Sequence, residues 1–168
     1  YDVPLRRDVM LVASIENTHT WFTGMGWNIP ESITSPPELG LGEFSGRRKL
    51  RMTLDSAMKY DQYPYFLKSY ELKKFDPLII SSESDKKWIS DKLDLNMSVI
   101  ISEVVEFISE YRVYVLNGKI QGCCHYGGSF KHYPDIDKAE RMIRQFTKAP
   151  AFYTLDIGVV YCPELNVY

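Results

Sequence analysis

The chain has 168 residues, of which 45% are hydrophobic and 14% aromatic, with twelve tyrosines. That length suits one ordinary domain or two small lobes, and that apolar content excludes disorder as the default. A formal net charge of −2 argues against a protein that coats nucleic acid. No stretch approaches the roughly 20 apolar residues that span a bilayer, so no membrane partner is expected.

No segment reads as a signal peptide. Cys123, Cys124 and Cys162 are spaced poorly for a disulfide framework or a zinc site. They read as reduced thiols packed on strands, which points to the cytoplasm. The chain lacks an initial Met and stops in an apolar segment, so both ends are expected to be trimmed.

In chain order, Val9-Met10-Leu11-Val12-Ala13 reads as a buried strand. Residues 14–26 suit a short helix closed by Gly24 and Gly26, and residues 35–40 suit a proline-rich turn. Residues 46–60 suit a short strand followed by a helix over 54–59. Tyr65-Phe66-Leu67-Lys68, opened by Pro64, reads as a strand, and Leu78-Ile79-Ile80 as another. Ser84 is expected to cap a helix over 85–93. The β-branched run 98–105 and residues 110–116 read as strands. Asn117-Gly118 signals a hairpin, with a return strand over 119–126. Pro134-Asp135 starts a helix in which Ile136, Ala139, Met142, Ile143 and Phe146 share one apolar face. Residues 152–161 read as a strand, 162–166 as a turn, and Val167-Tyr168 as the start of a further strand. The pattern is α+β, with antiparallel strands that can put one face on a core and the other on a cleft.

Several polar residues interrupt this pattern. Lys68 closes an apolar run, where a lysine needs a partner such as a phosphate; a solvent-facing edge lysine is the alternative. Glu103, Glu106 and Glu110 lie among apolar residues, in reach of sugar hydroxyls or an amine. Alternation puts Arg112 on the strand face with Tyr114 and Leu116. There it can fork onto a phosphate or carboxylate, or pair with a neighbouring-strand acid or with Glu110. Asp156 interrupts a strand and invites a metal or a hydrogen-bonding reason, or else sits in a bulge. Gly158 suggests close approach or a bulge. His125 and His132 read as polar residues of a flexible loop around Gly127-Gly128, without zinc spacing, although residues 126–129 remain candidates for ligand contact. The basic run Arg47-Arg48-Lys49-Leu50-Arg51 reads by composition as a solvated face or helix start in preference to a phosphate site. No Gly-rich phosphate loop and no catalytic serine motif is present, so a nucleotide site would be built from strands and side chains.

The order of these segments carries a resemblance. Pro36-Pro37-Glu38-Leu39 with Gly46-Arg47-Arg48, then Tyr65-Phe66-Leu67-Lys68, Lys73-Lys74-Phe75, the stretch from Ser102 through Glu106-Phe107-Ile108-Ser109-Glu110-Tyr111-Arg112 to Val115, and Leu155-Asp156-Ile157-Gly158 resemble the ATP-grasp superfamily. Within it they look like the R-two-K clade, named for two arginines and a lysine and common in bacteria and phages. The resemblance implies an ATP-grasp fold, with antiparallel sheets, flanking helices and a nucleotide between two lobes. Residues 1–57 would form an N-terminal lobe and 58–168 the nucleotide-binding region. It further implies ATP and Mg²⁺ as cofactors and an unknown carboxylate and amine, among them peptides and amino acids, as substrates of a ligase acting through an acylphosphate.

By the same resemblance, Lys68 contacts the α-phosphate and adenine, and Arg47 or Arg48 stands for an earlier phosphate lysine. Glu106, Phe107 and Ile108 form the hinge beside adenine. Glu110 holds ribose, Arg112 faces phosphate or substrate, and Asp156 is the first metal ligand. The family's later Glu-x-Asn metal strand has no clear counterpart, since Glu164-Leu165-Asn166 reads as a turn. A nucleotide-binding module without catalysis is therefore the alternative.

Overall fold

A computed structural model describes residues 12–29, 33, 44–71 and 74–161. The readings that fall on 9–11, 35–40, Lys73 and 162–168 lie outside the described residues, and the described end of the buried strand expected over 9–13 is corrected, since Val12 and Ala13 are exposed and in no strand. The chain divides into two compact units, Tyr1–Ile33 and Thr34–Tyr168. In the first, helix α1 (Ile15–Gly24) is capped by the Ser14 hydroxyl, which accepts from the Asn17 amide. Trp21, Phe22 and Trp27 form a ring cluster with centroids 5.4–5.9 Å apart.

The second unit contains two antiparallel sheets. Its elements are β1 (Lys49–Thr53), α2 (Leu54–Met58), β2 (Tyr65–Ser69), β3 (Leu78–Ile80), α3 (Glu83–Ser90), β4 (Ser98–Glu103), β5 (Ser109–Leu116), β6 (Lys119–Gly128), α4 (Ile136–Gln145) and β7 (Phe152–Val159). The first sheet runs β1-β4-β2-β3 and the second β6-β5-β7.

Helices cover one face of each sheet, although Ile100 and Ser102 on the other face of β4 are buried as well. In the first, Tyr65, Leu67, Ile80, Val99 and Ile101 pack with Leu54 and Ala57 of α2 and Ile89 of α3. Leu54, Leu67 and Val99 are fully buried, and side chains of that size contribute about 1.5–3 kcal/mol each on burial. In the second, Val113, Val115 and Tyr153 pack against Ile143 and Phe146 at α4. The period-2 alternation of β5 is read directly: Tyr111, Val113 and Val115 are buried, while Arg112 and Leu116 are exposed.

Several local expectations are corrected. The α3 cap is Ser82, two residues before the expected Ser84, because the Asp85 carboxylate turns back to accept from the Ser81 and Ser82 amides at 2.9 and 3.0 Å. The helix ends at Ser90, short of the expected Leu93. Strand β4 stops at Glu103, since Val104 and Val105 lie beyond its last register pairs. Strand β6 runs to Gly128, with register shifts opposite Glu110/Tyr111 and Tyr114/Val115. His125 thus stands on a strand opposite Tyr111, not in a loop. Cys123 and Cys124 lie on β6 as expected but are exposed, because β6 is a sheet edge. Strand β7 ends at Val159, where its pairing with Ser109 ends.

The Asn117-Gly118 hairpin is borne out, with both residues at positive φ (48° and 71°), as a type I′ turn requires. Among the described residues no helix is long and apolar enough to cross a membrane.

Gly128 has φ 71°, and a Cβ there would stand 2.4 Å from the Ile108 carbonyl oxygen. Gly128→Ala should destabilise the domain by more than about 1 kcal/mol. Gly122→Ala, whose Cβ would meet nothing within 4 Å, should stay within about 0.5 kcal/mol. Denaturant midpoints of the two variants check this.

Candidate functional site

The uncovered face of the first sheet is cationic. Register places Lys49 opposite Ser102 and Arg51 opposite Ile100 on one side of β4, and Phe66 and Lys68 opposite the same two residues on the other. Directly opposed residues share a face, so Lys49, Arg51, Phe66 and Lys68 all project from the side that α2 and α3 leave bare. Arg47, just before β1, lies over both the Phe66 ring (5.4 Å) and the Phe107 ring (5.7 Å). Arg51 lies 3.6 Å over the Tyr70 ring.

Lys49 and Lys68 are half-buried. No carboxylate among the described residues pairs with either. Burial lowers the pKa of Lys68, and the Arg47 charge lowers it further. Burial likewise lowers that of Lys49, with Arg47 and Lys68 adding to the effect. Arg47 is also pulled down by burial, opposed by Glu103. Side chains two apart on a strand are spaced about 7 Å, where like charges repel by about 2 kcal/mol at an effective dielectric of about 20. A protein with a net stability of about 5–15 kcal/mol keeps such a cluster only against some compensating gain, and an anion supplies one.

The connector from Val104 to Ile108 joins this face to the second sheet. The Phe107 ring sits on Gly158, where an added Cβ would come within 2.2 Å of the ring carbons. Close approach at Gly158 was legible in the sequence, though its partner was not. The Ile108 amide donates to the Val159 carbonyl (2.9 Å), and the Ile108 carbonyl accepts from the Ser129 amide (2.7 Å). Main-chain groups of residues 104–107 take no hydrogen bond from other described residues. Those groups are open to a ligand edge, whereas those of Ile108 are already engaged.

The uncovered face of the second sheet carries Glu110, Arg112 and Asp156. Arg112 and Asp156 are register partners and form a two-pronged ion pair, Nε to Oδ1 at 2.7 Å and Nη2 to Oδ2 at 2.8 Å. The Asp156 carboxylate raises the Arg112 pKa, by hydrogen bonding first and charge second. The Arg112 guanidinium also lies 5.5 Å over the Tyr126 ring, and the Tyr126 hydroxyl donates to Glu110 Oε2 at 3.2 Å. Burial, then the Asp156 and Glu110 charges, push the Tyr126 phenol up to about 12. Glu110 also explains Gly127, where a Cβ would stand 3.0 Å from Glu110 Oε1.

These positions separate the candidates. Arg47, Lys68 and Phe107 come together at one face, with Glu106 exposed beside them. Glu110, Arg112 and Asp156 come together at the other. Arg48 does not join either set: it pairs with Glu103, through its amide at 3.2 Å and its Nε at 3.6 Å. A cleft of about 130 Å³ beside Arg48 is lined by Leu50, Tyr65 and Ile101 of the helix-covered face, and is small against the roughly 300–1,000 Å³ of ordinary ligand pockets. Sequence reasoning did not single out Lys49 and Phe66, which share this face with Lys68. The signal was there: alternation in Arg47-Arg48-Lys49-Leu50-Arg51 puts three cations on one face.

A resident metal does not fit the described residues. Both oxygens of Asp156 are held by Arg112, and no three His, Cys, Asp or Glu among the described residues gather closely enough to ligate one. Arg112 and Asp156 are each nearly half exposed (45% and 46%), so solvent screens the pair. A double-mutant cycle on Arg112→Gln and Asp156→Asn should give a coupling below about 1 kcal/mol in thermal unfolding.

Comparison with known proteins supplies a family. No curated protein matches the chain in sequence. Among solved structures it is similar to one described as ATP-grasp ligase PsnB complexed with precursor peptide PsnA2 and AMPPNP. The TM-score is 0.46 at 13% identity, over 68% of this chain and 39% of that one. This chain thus spans well under half of that protein's length. Residues 44–166 match the family described as an ATP-grasp domain, family 2 of the R-two-K clade. The match covers most of the sequence and all of the second unit's described elements. The chain belongs to the ATP-grasp superfamily, in family 2 of the R-two-K clade.

Proposed function

We propose that the chain binds MgATP between the uncovered faces of its two sheets and uses it to join a carboxylate to an amine or thiol. The observation that carries this reading is the half-buried cationic face, Lys68 with Arg47, beside a connector whose main-chain groups are unpaired among the described residues. In this reading the adenine edge meets the backbone of Glu106 and Phe107, and its ring lies near Phe66 and Phe107. Lys68 and Arg47 take the phosphates, and Glu110 takes the ribose hydroxyls. Mg²⁺ arrives with the nucleotide as part of the substrate. We keep the cytoplasm as the compartment, on the free thiols of Cys123 and Cys124.

The chemistry follows from the electrophile. A carboxylate is inert to an amine because its leaving group would be an oxide. Its oxygen attacks the γ-phosphorus, the bond from that phosphorus to the β-bridging oxygen breaks, and ADP departs. The amine then attacks the acyl carbon, phosphate leaves, and the amine proton passes to solvent. The protein's part is positioning and charge neutralisation. Lys68 serves the nucleotide, and Arg112, on the second sheet, serves the transferred phosphoryl or the substrate carboxylate. No protein nucleophile is needed.

The engagement of Asp156 by Arg112 favours a second reading, a nucleotide-binding module without catalysis. The two readings separate on chemistry. A ligase releases ADP when a carboxylate is supplied and yields a hydroxamate when hydroxylamine intercepts the acylphosphate; a binding module does neither.

Binding itself is tested by thermal unfolding. MgATP at about 100 times its dissociation constant should add about 2.7 kcal/mol, a rise of about 5–10 °C for a chain of this size. Lys68→Ala should lose that rise. The absence of any rise at millimolar MgATP contradicts the proposal.

A further inference from the structure

We propose that Tyr126 is a positioning residue of this site: its hydroxyl sets the Glu110 carboxylate for the ribose hydroxyls, and so makes the site prefer a ribonucleotide over its 2′-deoxy counterpart. The inference rests on the reading that MgATP binds here. It starts from the ladder between β5 and β6. His125 stands opposite Tyr111, and unbroken pairing would bring Tyr126 opposite Glu110. The register shift puts Gly127 there instead, so that Tyr126 and Gly127 together face Glu110. A bulge of this kind re-aims a side chain.

Both bulge residues serve Glu110. Gly127 leaves the carboxylate room, since an added Cβ would stand 3.0 Å from its Oε1. Tyr126 donates its hydroxyl to Oε2 at 3.2 Å and is the one hydrogen-bond partner of that carboxylate among the described residues. The Tyr126 ring is itself held. The Arg112 guanidinium lies over it, and Asp156 holds Arg112 by two hydrogen bonds. The phenol, pushed up to about 12 by burial and by the Asp156 and Glu110 charges, keeps its proton at neutral pH, so the donor is always present.

Along β5 the groups follow the order of a nucleotide. The connector comes first, then Glu110, then Arg112 about 7 Å further on. Base, ribose and phosphates would meet them in that order. A carboxylate has about four acceptor sites. With one taken by Tyr126, capacity remains for both ribose hydroxyls. Without that hydroxyl the half-buried carboxylate is free to turn, and its ordering falls on the nucleotide. The loss then bears on the ligand that carries both hydroxyls more than on the one that lacks the 2′-hydroxyl.

The test is calorimetric titration of the full chain with MgATP and with magnesium 2′-deoxy-ATP. The chains compared are wild type, Tyr126→Phe, Glu110→Ala and the double variant, with unfolding temperature read alongside. Wild type should prefer MgATP about tenfold, the size of one charge-assisted hydrogen bond. Tyr126→Phe keeps the ring against Arg112 and should leave the unfolding temperature little changed. It should cut the preference to about threefold by weakening MgATP, with the deoxy nucleotide within about twofold of wild type. In the Glu110→Ala background Tyr126→Phe should change nothing further, because the two act as one unit. Equal weakening of both nucleotides, an unchanged preference, or the same effect of Tyr126→Phe with and without Glu110 overturns the assignment of Tyr126 while leaving ATP binding intact. A wild-type chain that binds both nucleotides equally does the same. A wild-type chain that binds neither overturns the ATP reading and this inference together.

Discussion

The seat of Phe107 on Gly158 ties the connector between the two sheets of the second unit to β7. Because Gly158 has no side chain, the ring can lie directly on β7. Because Arg47 lies over both Phe107 and Phe66, the same ring also reaches the first sheet. Hydrogen bonds from Ile108 to β7 and to Ser129 anchor the far end of the connector. The segment between, residues 104–107, is thereby held by its ends and by one ring, with its own polar groups unspent among the described residues. A backbone organised in this way costs stability unless water or a ligand satisfies it, and this is the physical basis for placing a nucleotide edge there.

The two faces differ in how their charges are balanced. On the second sheet Arg112 and Asp156 satisfy one another, and Tyr126 links Glu110 to Arg112. Glu110, Arg112 and Asp156 therefore each have a partner on that face. On the first sheet the charges that act on Lys49 and Lys68 among the described residues are like charges. In the proposed reading this imbalance draws an anion first to the first sheet. Engagement of the second requires Arg112 to exchange or share its carboxylate. The ATP-grasp assignment and this charge asymmetry agree without depending on one another.

Much of this was legible in the sequence, for reasons specific to each element. The β5–β6 hairpin was clear because Asn117-Gly118 demands one turn type and the flanking alternation is strict. Lys68 and Arg112 stood out because charged residues interrupt apolar strands. What could not be read were features set by tertiary pairing. The true α3 cap depends on Asp85 turning back to Ser81 and Ser82. The end of β4 depends on where its partners stop, although Val104 and Val105 are good strand formers. His125 is on a strand because the hairpin ladder continues through two register shifts. That Arg47 joins the cationic face while Arg48 turns away depends on the ring of Phe107, 60 residues away in sequence, and on the carboxylate of Glu103.

The measurement that bears most directly on this account is amide hydrogen exchange with and without saturating MgATP. The account predicts slowed exchange at Glu106 and Phe107, whose amides have no partner among the described residues, and at β1 and β2 around Lys49 and Lys68, with little change in α3 and α4. MgATP binding that leaves the connector amides exchanging as before, or that protects the cleft beside Arg48 instead, would contradict the claim that the nucleotide lies between the two uncovered faces.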